Sequence, residues 1–283
     1  MPSDASALPP APEPLPHPVV DNHCHLDVKR RSDDPDPDPA AALARAAAVG
    51  VPRIVQIGCS LLTARWSVAC AQQHPEIVAG VALHPNSAPR HAEQGDLDDA
   101  LAEIASLAAD PVVRAVGETG LDYFRTPEGS GRDIQRLSFE WHIDLAKRLD
   151  KTLVIHDRDS HADVLAVLDA VGVPDRWVMH CFSGDADFAR ACLDRGAHLS
   201  FAGTVTFGNA EDLRAAAAIT PVDRILVETD APYLTPVPYR GRTNASHLIP
   251  WTMRTLAEVR GADLGELCAA VEANTFHAFG GAW

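Results

Sequence analysis

Short apolar segments rich in β-branched residues alternate with alanine-rich segments of helical periodicity from residue 19 to the C-terminus. The apolar segments predict eight strands, at 19–26, 53–59, 77–84, 113–120, 152–157, 177–184, 198–205 and 225–232. The segments between them predict helices at 40–49, 61–73, 98–109, 132–149, 160–171, 185–195 and 210–219, with a last pair near 248–260 and 263–279.

Strands that alternate with helices are typical of α/β folds with a parallel sheet, because parallel neighbours need crossover connections. Eight such repeats favour a closed (β/α)8 TIM barrel, built as a single domain, over an open doubly wound sheet. A doubly wound sheet is also disfavoured because no glycine-rich fingerprint follows the first strand. We therefore expect one barrel domain over residues 19–283.

The N-terminal 18 residues are rich in proline and alanine and predict a disordered tail over 1–18. They lack the basic and apolar regions of a secretory signal, and no run of 18 apolar residues predicts a membrane span. The six cysteines include no C-x-x-C pair, which is typical of reduced, buried thiols. A cytoplasmic protein without a membrane partner is the resulting expectation, and no obligate protein partner is evident.

The formal net charge is −15, from 24 basic and 39 acidic residues. Such a balance argues against a protein that coats nucleic acid, because non-specific duplex binding relies on a basic surface. The acidic net charge is compatible with a phosphate substrate that binds in a cleft where bound cations supply the positive charge. The acidic proline run at 33–39 interrupts the first strand-to-helix connection, and we interpret it either as a solvated loop or as a flap over the active site.

Residues with metal-ligand chemistry recur at the carboxyl ends of the predicted strands, and in a TIM barrel those ends converge on one face. A carboxylate buried there without a partner would be costly, and a divalent cation would supply one. The candidates are His23, His25, His84, Glu118, His156, His180 and Asp230.

The most specific local pattern is His23-Cys24-His25. Alternate residues of a strand point to the same face, so the two histidines can bind one ion while Cys24 points towards the helices. Asp230 is placed to join that ion and to accept a proton from the attacking water. Glu118 is a candidate bridge between two ions, since each carboxylate oxygen can bind a different one.

Seven motifs, in the same order, make the chain similar to a known family: D-N-H-C-H-L-D (21–27), A-L-H-P (82–85), G-E-T-G-L-D-Y (117–123), I-H-D-R (155–158), H-C-F-S-G (180–184), E-T-D-A-P-Y-L (228–234) and P-Y-R-G-R-x-N (238–244). The chain resembles the TatD family of metal-dependent hydrolases over nearly its whole length. The resemblance implies a TIM barrel and deoxyribonuclease activity, which in the better known members is a 3′-to-5′ exonuclease activity on single-stranded DNA.

The resemblance also implies roles for individual residues. One metal site matches His23, His25, Glu118 and Asp230, and the other matches Glu118, His156 and His180. His84 and Arg158 match positions near the scissile phosphate, so that the expected catalytic residues are Asp230, Glu118, His84 and Arg158.

The expected cofactor is one or two divalent cations per chain. Magnesium, manganese and zinc are the candidates, and the four histidines among the ligands favour zinc or manganese over magnesium, which prefers oxygen. Two alternatives to a DNase stay open at this point. The same metal shell serves hydrolysis of a small amide, ester or lactone, and a metal-binding protein without turnover would carry it too.

Overall fold

The eight predicted strands form one parallel sheet in the computed structural model, which describes residues 8–30 and 36–283. Each strand pairs with its neighbours in chain order, β1 to β8. The strands are β1 Val20–Cys24, β2 Arg53–Gly58, β3 Ile77–Val81, β4 Val113–Asp122, β5 Thr152–Arg158, β6 Trp177–Met179, β7 His198–Phe201 and β8 Ile225–Val227.

Helices connect and cover the strands, as the sequence predicted. They are α1 Pro39–Ala47, α2 Leu61–Gln73, α3 Ala88–Gln94, α4 Leu97–Ala108, α5 Ser130–Leu149, α6 His161–Val171, α7 Ala186–Leu193, α8 Glu211–Ile219, α9 Ile249–Arg260 and α10 Leu264–Ala278. The short helix α3 was not predicted, because its seven residues, APRHAEQ, carry no apolar stripe.

The sheet closes between the ends of β1 and β8. Cys24 forms a parallel bridge with Ala231. The backbone N–H of His25 donates to the carbonyl of Ala231 (2.8 Å), and that of Asp230 donates to the carbonyl of His23 (2.9 Å). The predicted (β/α)8 TIM barrel is therefore confirmed, and these closing bonds place His23, His25 and Asp230 at the same rim.

Two apolar layers stabilise the barrel, because successive strand residues point to opposite faces. The inner layer fills the barrel with small and medium side chains such as Val55, Val154 and Leu226. The outer layer lies between strands and helices and includes Ile54 and Leu153. Cys24 belongs to this outer layer, as its position between the two histidines predicted.

Residues 8–18 make defined contacts with the barrel, in contrast to the disordered tail expected from their composition. Leu15 is buried, and its N–H donates to the carbonyl of Val49 (3.1 Å). Arg254 donates to the carbonyl of Glu13 (2.8 Å). The backbone thus finds partners in the loop after α1 and on α9 that its proline content does not reveal, and residues 1–7 lie outside the described part of the chain.

Part of the acidic run at 33–39 has a structural role. Asp38 caps the N-terminus of α1, where its side chain accepts the N–H of Ala41 (2.9 Å). Asp36 pairs with Lys29 (2.6 Å). Residues 33–35 are outside the described residues, so the flap interpretation stays a prediction.

Over residues 8–30 and 36–283, every helix is too short or too polar to cross a bilayer. All six cysteines are unpaired, as expected.

Candidate metal centre at the strand ends

Glu118 is the centre of the polar cluster that the sequence placed at the rim. Its carboxylate is buried, and its two oxygens face different imidazoles. Oε2 lies 3.5 Å from Nε2 of His23 and 3.9 Å from Nε2 of His25. Oε1 lies 2.5 Å from Nδ1 of His156, 3.4 Å from Nε2 of His180 and 3.6 Å from Nε2 of His84. This is the arrangement that a carboxylate needs to bridge two cations.

Local irregularities in β4 direct Glu118 into the cluster. The register of β4 against β5 shifts between Val116 and Thr119, and such a shift re-aims the side chains within it. Gly120 follows with a φ of +138°, and a Cβ on it would lie 2.1 Å from the carbonyl oxygen of His156. Only glycine allows β4 to approach β5 so closely here, which explains the second glycine of the G-E-T-G motif.

Asp230 joins the cluster from the turn after β8. Its Oδ1 lies 3.3 Å from Nε2 of His25. Its φ of +52° is rare for a non-glycine residue and reflects backbone strain that the surrounding structure must hold. Asp21 provides that support, because it accepts the N–H of Thr229 (2.9 Å) and the hydroxyl of Thr229 (2.6 Å). Burial raises the pKa of Asp21 to about 6, and these hydrogen bonds oppose the rise.

Charges within the cluster compensate one another. Burial alone would raise the pKa of Glu118, but the charges of His180 and His156, with the hydrogen bond from His156, outweigh it and hold the pKa well below its usual range. Burial would lower the pKa of His156, yet Glu118 raises it to about 9. His84 behaves differently, since burial lowers its pKa to about 4 and the imidazole is neutral at pH 7.

His23 gives the clearest evidence that this cluster of side chains fits a cation. The side chain is fully buried, it stacks on His180 at 3.5 Å between ring centroids, and neither ring nitrogen has a hydrogen-bond partner among the described residues. Buried polar atoms without partners are rare, and a bound ion is one of the few partners that explains them. A cation beside Glu118 would satisfy the Nε2 atom, so the residues fit a metal.

Among the described residues, five groups of side chains bring their ligand atoms close enough to hold a cation in this region: His23 with His25 and Asp230; His23 with Glu118 and His180; His25 with Cys59 and Glu118; His84 with Asp122 and His156; and His180 with Cys181 and Glu228. The structure thus brings all six predicted ligands into one cluster. It also places Asp122 next to His156, with Oδ2 of Asp122 3.5 Å from Nε2 of His156.

Arg158 and His84, the predicted phosphate contacts, lie beside this cluster. Arg158 ends β5 and is exposed, with its guanidinium carbon 3.8 Å from the ring centroid of Phe124. The two residues line the same cavity of about 440 Å³, together with Asn86, Arg125 and Tyr233.

A second cavity, of about 520 Å³, opens on the other side of the centre and is lined by Thr204, Phe207 and Asn209. Both cavities share Glu118, His156, Arg158 and Asp230. The cluster therefore lies in the middle of a cleft with room on both sides.

Glu228 is a site residue that the sequence reasoning missed. It is fully buried, and its Oε1 lies 2.9 Å from Nδ1 of His180 while accepting the N–H of Cys181 (3.1 Å). The hydroxyl of Ser200 donates to its other oxygen (2.5 Å). A carboxylate on the far nitrogen orients a histidine so that its near nitrogen faces a metal. The signal was the charged residue directly after the apolar β8 strand.

Comparisons with known proteins agree with this geometry. The family described as TatD related DNase matches residues 20–280. A Mycobacterium tuberculosis protein named uncharacterized metal-dependent hydrolase TatD is 44% identical over 268 residues, which cover 94% of this chain and 99% of that protein. A Citrobacter rodentium protein named 3′-5′ ssDNA/RNA exonuclease TatD is 32% identical over 243 residues, covering 82% and 88% of the two chains.

Among solved structures, the TatD homologue YJJV of Escherichia coli superposes with a TM-score of 0.82 at 28% identity, covering 93% of this chain and 98% of that one. The match of a family across the whole barrel, together with the clustered ligands, leads to one conclusion. The chain belongs to the TatD related DNase family and is a metal-dependent hydrolase.

Proposed function

We propose that this chain is a metal-dependent deoxyribonuclease that hydrolyses phosphodiester bonds at the 3′ end of single-stranded DNA. The observation that supports it most is the cleft, which extends to both sides of the Glu118 cluster. A chain-like substrate needs room on both sides of the scissile bond, whereas a small amide or lactone needs one closed pocket. The exonuclease name of the Citrobacter rodentium relative points the same way.

The proposed ligands are His23, His25, Glu118 and Asp230 for one cation, and Glu118, His156 and His180 for another. When bound, one or two divalent cations would polarise the phosphoryl group and acidify the attacking water. The imidazole-rich set favours zinc or manganese over magnesium. Glu118 would hold the two ions together.

Asp230 is the proposed proton acceptor. Burial alone would raise its pKa, but the hydrogen bond from His25 and the charges of the neighbouring histidines lower it. The carboxylate is therefore ionised at neutral pH and can take a proton from water at Oδ1. Its strained turn fixes that oxygen at the rim of the cleft.

His84 and Arg158 are the proposed contacts of the scissile phosphate. His84 is neutral and can donate a hydrogen bond to a phosphoryl oxygen without the cost of a buried charge. Arg158 is exposed at the junction of the two cavities, where its guanidinium can contact the negative charge that develops during hydrolysis.

Asp230→Asn tests the proposal directly. We expect the variant to keep its fold and to lose at least ~100-fold in the rate of single-stranded DNA hydrolysis, the range typical of a lost general base. Asp187→Asn, on the exposed face of α7, is the matched control and should retain full activity. Substrates labelled at either end would report the polarity of cleavage.

The assay should include RNA and a panel of amides and lactones. Hydrolysis of an amide or lactone by metal-loaded protein that leaves all nucleic acids intact would contradict the proposal, as would an Asp230→Asn variant that degrades DNA at the parent rate.

A further inference from the structure

The cavity of about 520 Å³ has a wall that the proposed chemistry does not use. Its inner end is formed by Glu118, His180 and Asp230, and its outer end by Phe207 and Asn209. The part of a substrate that binds in this cavity would therefore lie directly beside the bond that is hydrolysed at the Glu118 cluster.

An aromatic ring, Phe207, lies at the outer end of the cavity, with an arginine over it. The guanidinium carbon of Arg240 lies 4.2 Å from the ring centroid of Phe207. Phe207 is only half-buried, and it faces the cavity rather than the apolar core. Aromatic rings and guanidinium planes are the surfaces on which proteins stack nucleobases.

Backbone contacts hold this surface in place. Arg214 donates to the carbonyl of Phe207 (2.7 Å). The N–H of Val237 donates to the hydroxyl of Thr206 (2.9 Å), which ties the loop after β7 to the loop that carries Arg240. Gly203 brings the two loops together, since a Cβ on it would lie 2.3 Å from the carbonyl oxygen of Leu234. A preformed surface binds with less entropic loss than a mobile one.

The remaining wall offers hydrogen-bonding groups of mixed character. Asn209 and Ser183 are exposed in the cavity and can both donate and accept. Such groups suit the edges of a base. An aliphatic or fully anionic ligand would not use the aromatic plane.

We propose that Phe207 and Arg240 form a stacking platform for the nucleobase next to the scissile phosphate, with the cavity holding one nucleoside of the substrate. The proposal rests on the proposed nuclease function and names the part of the nucleic acid that this cleft recognises.

Phe207→Ala tests the platform with two oligonucleotides that differ only in their last two 3′ residues, which are ordinary nucleotides in one and abasic in the other. We expect the variant to lose about 5- to 100-fold in kcat/KM on the ordinary substrate, the range found for removal of a base-stacking aromatic. Hydrolysis of the abasic substrate should change by less than about twofold, and Phe207→Trp should restore most of the loss.

The matched control is Phe276→Ala, which removes an aromatic ring that also faces an arginine, Arg53, but at the start of β2 on the opposite end of the barrel. This variant should hydrolyse both the ordinary and the abasic substrate with the same kcat/KM as the parent. Thermal melting of each variant confirms that the fold is retained.

Binding gives a readout that does not depend on turnover. The fluorescence of 2-aminopurine at the 3′-terminal position should be quenched on binding to the parent protein and to Phe207→Trp, and not on binding to Phe207→Ala. Quenching that depends on Phe207 without any DNA hydrolysis would support the platform while refuting the nuclease proposal. Equal loss on both substrates, or no loss on either, would overturn the platform.

Discussion

Acid should destabilise this protein through His142, a fully buried histidine of α5 that supports the candidate site. Its Nε2 accepts the N–H of Leu83 (3.2 Å), the residue before His84. Its Nδ1 donates to the carbonyl of Ser138 (2.6 Å). One nitrogen accepts and the other donates, so these contacts require the neutral imidazole, and a second proton would break the bond to Leu83.

The size of the effect follows from the pKa. Burial lowers the pKa of His142 from 6.5 to about 4, and the hydrogen bond to Ser138 only partly opposes this. The unfolded chain therefore binds more protons than the folded one between these values, so the free energy of unfolding falls as the pH drops through this window. Between pH 7 and pH 5 the linkage amounts to about 2 kcal/mol.

His142→Gln isolates this contribution, because glutamine can accept the N–H of Leu83 but does not titrate. Urea unfolding of chelator-treated protein at pH 7 and pH 5 measures the free energy of unfolding of parent and variant. The free energy of unfolding should fall between pH 7 and pH 5 in both proteins. We expect this fall to be about 2 kcal/mol smaller in the variant than in the parent. An identical loss in both proteins would refute the reasoning, since it would mean that His142 is not held neutral by the fold.

Three further predictions follow from the cluster. Glu228→Gln should weaken zinc or manganese binding by about 10- to 100-fold in calorimetric titration, because His180 loses the carboxylate that orients it; unchanged affinity would exclude that role. Gly120→Ala should lower the free energy of unfolding by roughly 3 kcal/mol or more through the clash with His156, whereas Gly95→Ala, which has open space around it, should cost about 1 kcal/mol. Arg158→Ala should lower kcat/KM on DNA by at least ~10-fold without changing metal stoichiometry, and a loss of bound metal would contradict its assignment to the phosphate.

The strand pattern was predictable because each strand of a closed parallel barrel is buried on both faces. The predicted strands β6 and β8 nevertheless ran to 184 and 232, while the observed strands end at Met179 and Val227. Left-handed turns at Cys181 and Asp230 end the regular backbone there. Apolar character continues past these turns, so periodicity alone could not place them.

The clustering of the candidate ligands was predictable for a related reason. Histidines and carboxylates at the ends of apolar strands have few roles other than binding a ligand, and barrel topology brings strand ends together. Glu228 was not predicted as a site residue, because a carboxylate two positions before Asp230 is equally typical of a turn. Only the folded barrel shows that it contacts Nδ1 of His180. Phe207 was not predicted either, because nothing in its sequence neighbourhood shows that Arg240, 33 positions later, lies over its ring.

The contacts of residues 8–18 could not be predicted either. Proline-rich segments lack regular hydrogen bonding, and only the folded surface shows that Leu15 has an apolar site to fill beside Val49.

The central claim, that six distant side chains form one metal centre around Glu118, is tested most directly by counting bound metal. Chelator-treated protein dialysed against zinc or manganese should retain one to two ions per chain by elemental analysis. Glu118→Gln should retain fewer, because both candidate ions lose their shared oxygen ligand. A parent protein that binds no metal, or a Glu118→Gln variant that binds as much as the parent, would contradict the account.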